Sequence, residues 1–139
     1  MTTMVERITT FADVRHHPVT TGALVFVFWI AAAVLVATCH IELDALSESG
    51  SAVATIALLV LVSYAYTRFC ARCMGIDHAL GVGIAWFVLA IVVEITVTSR
   101  TGHGWYALIG SPERPLMRNV FMFVWIFAPA LFARARIED

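Results

Sequence analysis

Four long apolar runs, at about residues 21–39, 51–68, 79–98 and 116–133, constrain this chain more than any other feature. Each is close to the ~20 residues that a helix rising ~1.5 Å per residue needs to cross ~30 Å of hydrocarbon. Barrel strands would instead alternate polar and apolar positions over about ten residues. The runs therefore predict membrane-crossing helices. The second is the shortest. Tyr64, Tyr66 and Arg68 reaching the interface would complete it, as would continuation through Phe69 towards Cys73.

Composition removes the competing classes. Of 139 residues, 60% are hydrophobic and 14% charged, against roughly 45–50% and about 25% in soluble domains. A water-soluble globule of this size could not cover so much apolar surface. Disordered chains are poor in aromatic and β-branched residues, so disorder is excluded too. All nine basic residues are Arg, and against ten acids they leave a net charge of −1. Nucleic acid would require a concentrated basic face. The expected fold is one all-α domain over residues 1–139, a polytopic up-down bundle of four transmembrane helices with a short interfacial N-terminal helix over 1–19.

Arginine placement gives the topology. Arg7 and Arg15, Arg68 and Arg72, and Arg134 and Arg136 share one side if there are four crossings, against Arg100, Arg114 and Arg118 on the other. The 40–50 connection has no Arg and carries Glu42, Asp44 and Glu48. Six against three puts both termini in the cytoplasm by the positive-inside bias. Glu6 and Asp13 occupy the place of a signal peptide's basic region, so a cleaved leader is not expected. Thr3 to Glu6 reads as a capping box, and Val5, Ile8, Phe11 and Ala12 share a face of a helix that ends near Pro18. Thr38 is a poor residue before Cys39 for lipoprotein cleavage, and that reading is rejected. The 101–115 connection holds Trp105, Tyr106, Leu108 and Ile109, which suit a short turn in the headgroup layer. Pro129 should bend the last helix. No internal repeat is visible, which leaves an inverted-repeat transporter within one chain unsupported.

Glu94 is the most informative polar residue. An ionised acid inside a membrane helix costs up to ~2.5–3.5 kcal/mol and should face protein and find a partner. Arg118 lies at comparable depth and is the first candidate, Arg100 the second. Two readings stand: an interhelical ion pair that fixes the third and fourth helices, or a proton- or cation-coupling acid.

Elsewhere the chemical signals are thinner. Cys70 and Cys73, with His78 and with His16 and His17 on the same side, would make a metal or redox site, yet one Cys-x-x-Cys is only half of a zinc site. Disulfides do not persist on a reducing cytoplasmic side. Bis-histidine haem needs imidazoles facing each other within helices. His40, His78 and His103 all sit at helix ends, leaving only a haem held near the surface by His40 and His103. No cofactor is expected. Trp29, Trp86 and Trp125 fall within apolar runs and suit the bundle core or an interface better than a ligand box. The pairs Ala33/Ala37 and Gly81/Ala85 mark close helix approach. Ser63, Tyr64, Tyr66 and Thr67 make one helix end polar, where hydroxyls bond neighbouring backbone. Hydrolase, metalloprotease and phosphate-loop signatures are missing. Trp105, Tyr106 and Arg114 are candidates for a docking surface.

The order Gly83-Ile-Ala-Trp86, Glu94, Gly102-His-Gly-Trp105, then Arg118 opening a helix that contains Pro129 resembles small uncharacterised four-helix proteins of bacterial inner membranes. Ser111 to Pro115 departs from their plainer turn. The resemblance covers the C-terminal third to half of the chain. It implies a four-helix fold and a role for Glu94 with Arg118, and it brings no activity. The expected function is that of a non-enzymatic, multi-pass inner-membrane protein, an accessory or assembly subunit that associates laterally with other membrane subunits or with itself. The alternatives are a small oligomeric transporter or channel using Glu94, and a redox or metal-binding membrane protein.

Overall fold

The computed structural model describes residues 18–44, 48–71 and 74–133. They form four helices, α1 (Pro18–Asp44), α2 (Glu48–Phe69), α3 (Ile76–Thr101) and α4 (Pro115–Leu131), and no strand occurs among the described residues. The N-terminal helix lies outside this range, as do Arg7, Arg15, His16, His17, Arg72, Cys73, Arg134 and Arg136. Pro18, near which that helix is expected to end, opens α1, where its missing N–H falls among donors that have no helical partner anyway.

α1 also runs five residues past its expected end, because His40-Ile-Glu-Leu-Asp44 contains no Gly or Pro to stop it. Of the expected 40–50 connection, residues 40–44 and 48–50 are thus helical. α3 stops where Gly102 turns left-handed (φ 69°) and donates its N–H to the Thr98 carbonyl at 3.1 Å, a cap that glycine adopts without steric cost. Three helices are long and apolar enough to cross a membrane, over Pro18–Glu42, Gly50–Phe69 and Ile76–Thr101. α4 is apolar but has 17 residues, about 25 Å of helix.

α1 packs along α2 and α3 along α4; α4 also lies on α2, while α1 meets α3 over a narrow strip. That narrow strip is held by a reciprocal pair. Trp29 Nε1 donates to the Trp86 carbonyl at 3.0 Å, and Trp86 Nε1 to the Val25 carbonyl at 2.9 Å. Tyr66 packs edge-on against both Phe28 and Trp86, so α1, α2 and α3 converge on one aromatic cluster. Val36, Leu59, Ala90, Leu108 and Trp125 extend this core towards the 102–114 connection.

Close approach of α3 and α4 occurs at Gly83. A Cβ there would fall 1.9 Å from the Ile126 carbonyl oxygen, so only glycine lets the two backbones meet. The predicted pair Gly81/Ala85 faces outward instead: both residues are exposed, and a Cβ on Gly81 would meet nothing within 4 Å. Two residues of offset turn a small side chain to another face of the helix.

Candidate functional site

The end of the bundle that carries the 102–114 connection, here the loop end, holds most of the polar chemistry. Its local structure begins in the last turns of α3, where hydroxyls bind the chain that follows. Trp105 N–H donates to Thr98 Oγ1 at 3.2 Å, and that hydroxyl lies 3.3 Å from the Trp105 carbonyl it donates to. Thr101 Oγ1 donates to the His103 carbonyl at 3.1 Å. The chain then dips inward. Ala107, Leu108 and Ile109 are buried, with Gly110 N–H closing the turn on the Tyr106 carbonyl at 3.1 Å. Gly110 exits with φ 92°, a conformation that favours glycine.

The expected short turn is present and is folded inward against the helices. Buried irregular backbone needs protein groups to satisfy its polar atoms. Glu94 and Trp125 do so. The carboxylate of Glu94, 7% exposed, accepts the Ile109 N–H on Oε2 at 2.9 Å, with the Leu108 N–H beside it. Trp125 Nε1 donates to the Leu108 carbonyl at 2.8 Å. One side chain from α3 and one from α4 thus grip opposite polarities of the same turn, leaving Leu108 and Ile109 free to pack in the core.

Arg118 is near enough for its charge to act on Glu94, but no direct ion pair joins them; the carboxylate oxygen is engaged by backbone instead. The Arg118 Nε is buried and has no hydrogen-bond partner. Arg100 is exposed on the last turn of α3 and is not among the groups acting on the carboxylate. The expected pairing of Glu94 with an arginine therefore becomes a clasp on the loop, with Arg118 as a neighbouring charge. Sequence reasoning missed the clasp because its acceptor is a main-chain amide, which leaves no mark in residue types.

Beside the clasp lies a cavity of about 270 Å³, lined by residues of α1, α2, the connection and α4. His40, Ser51, Thr55, Tyr106, Ser111 and Arg114 supply its polar wall. Among the candidate docking residues, Tyr106 and Arg114 line this cavity, whereas Trp105 packs inward against the core. Tyr106 and Arg114 are exposed, and Trp105 is half-buried. His103 is exposed, with Nδ1 2.9 Å from the Thr101 carbonyl, while His40 faces the cavity.

At the opposite end, Tyr66 is buried and its hydroxyl lies 2.9 Å from His78 Nε2. Tyr66 therefore does not reach the interface as expected; the first turns of α3 cover it. Thr67 Oγ1 donates to the Ser63 carbonyl at 2.8 Å and lies 3.4 Å from the Pro129 carbonyl. Cys70 is half-buried and lines a cavity of about 210 Å³ with Thr21, Leu24, Tyr66 and Phe69. Among the described residues, no three His, Cys, Asp or Glu gather as metal ligands.

No protein-family model, curated protein or solved structure matches the chain.

Proposed function

We propose that this chain is a non-enzymatic integral membrane protein that acts by lateral helix association, as an accessory or assembly subunit of a larger complex in a bacterial inner membrane. All four helices cross in up-down order with both termini cytoplasmic. α4 spans with help from local thinning and from arginines at its start reaching the headgroups. The observation that carries this reading is a seam on α3. Gly81, Ala85, Val88, Val92 and Ile95 recur at steps of four and three and are all exposed. A repeat of 3.5 residues is the spacing by which one helix meets another along its length. Small residues at one end of such a seam let backbones approach in lipid, where no hydrophobic drive exists between helices. Among the described residues, both members of the small pair are exposed, and a Cβ on Gly81 would meet nothing within 4 Å.

Glu94 supports the same reading. A coupling acid must exchange protons or cations along a path, whereas this carboxylate holds the loop that the core is built around.

Purification from native membrane in mild detergent tests the proposal. Stable companions, or a discrete oligomer of the chain, are the expected result, and Gly81→Leu should release them. A chain that runs alone as a monomer contradicts it.

A further inference from the structure

We propose that the α3 seam docks on a second copy of this chain, against the outer face of that copy's α2. The inference rests on the up-down, single-orientation reading above. α2 carries a seam of its own: Gly50, Val53, Ala57, Leu61, Tyr64 and Arg68 recur at steps of three and four and are all exposed. On α3 the exposed stripe begins one turn before Gly81, at Asp77. α2 and α3 stand across the ring of helices from each other, since α1 and α4 each pack on both. Their outer faces therefore point away from each other, and each is open to a neighbour.

Charge and size select the partner. Copies inserted in one orientation set α3 of one antiparallel to α2 of the next. Asp77, in the first turn of α3, and Arg68, in the last turn of α2, then lie at the same end. Placing them side by side fixes the register of every other layer. Gly81 meets the neighbour's Tyr64, Val88 meets its Ala57 and Ile95 meets its Gly50. Small faces large at each of these layers, with the order reversed between the two ends. Such interlocking supplies the close packing that drives helix association in lipid. A symmetric contact between two α3 seams would set Asp77 on Asp77 and Ile95 on Ile95, opposing like charges at one end and bulk at the other. The contact of α3 with α2 uses a different surface on each copy, so it builds a ring or a row.

The test uses the full chain in native membranes, with Cys39, Cys70 and Cys73 replaced by Ser. Val88→Cys and Ala57→Cys are placed on separately tagged copies, co-expressed and oxidised with copper phenanthroline. A disulfide requires Cβ atoms roughly 4 Å apart, so only residues of one layer join. The expected product is a dimer carrying both tags. Val88→Cys with Tyr64→Cys, two turns or ~10 Å off register, should give none. Asp77→Arg in both copies should lower the yield at least ~3-fold, and adding Arg68→Asp to the same chains should restore it. Should the charge variants fail to insert, the cysteine pairs decide alone. A dimer formed by Val88→Cys alone, or an equal yield from the off-register pair, overturns the inference. Absence of the mixed dimer overturns it too. If other proteins then accompany the chain in mild detergent, the lateral-association reading stands without it; if the chain runs as a lone monomer, both fall.

Discussion

Replacing Glu94 by Ala would leave the Ile109 amide buried without an acceptor and remove a counter-charge that acts on Arg118. Removing one partner from a buried charged hydrogen bond typically costs about 3 kcal/mol. Glu94→Gln keeps an acceptor oxygen of the same reach and should lose only a minor part of that. Unfolding of both variants in detergent distinguishes the two cases: equal stabilities would mean that the clasp does not hold the loop. Trp125→Phe tests the other jaw. It preserves most of the ring's packing but strands the Leu108 carbonyl, an expected loss of about 1–2 kcal/mol by the same measurement. Reading residue types alone located the acid and its depth, since a carboxylate inside an apolar run must be explained. Its partner was illegible, because a main-chain amide belongs to every residue and a buried turn to no motif. Tyr66 shows the same limit. Its position suggested an interfacial anchor, and only the return of α3 across it places His78 at its hydroxyl.

At the scale of elements, the positions of the four helices followed from apolar length, and the errors lay at their ends. Residues 40–44 are polar enough to look like a connection, yet they contain no Gly or Pro, and the helix includes them. The direction each face turns was harder to read. Gly81/Ala85 has the small-residue spacing, but Gly83 makes the contact with α4. A matched pair of substitutions follows. Gly83→Val drives a side chain into the Ile126 backbone and should cost more than the ~1–3 kcal/mol of ordinary overpacking, since backbone must move. Gly81→Val meets nothing within 4 Å and should leave stability unchanged or slightly raised, because glycine is a poor helix former. Thermal unfolding of both variants in detergent reads the difference. Equal destabilisation would show that the packing of α3 on α4 is misassigned.

For the whole molecule, the ring of contacts runs from α1 to α2, to α4, to α3 and back to α1. Its last link is the thinnest and depends on the paired Trp29 and Trp86 indoles. Trp29→Phe removes one of the two hydrogen bonds, each worth roughly 0.6 kcal/mol within membranes. Loss of packing between α1 and α3 should follow, seen as increased amide exchange in α1 while α3 and α4 stay protected. Unchanged exchange would place the hold on α1 elsewhere, along α2.

The central claim is that the outward seam of α3 receives a helix from another subunit, and a photo-crosslinking residue at Ala85 in intact membranes tests it most directly. The account predicts a discrete protein adduct from Ala85, lost when Gly81→Leu is added and missing from a control at Val34 on the exposed face of α1. Adducts to lipid alone at Ala85, with none to protein, would contradict it.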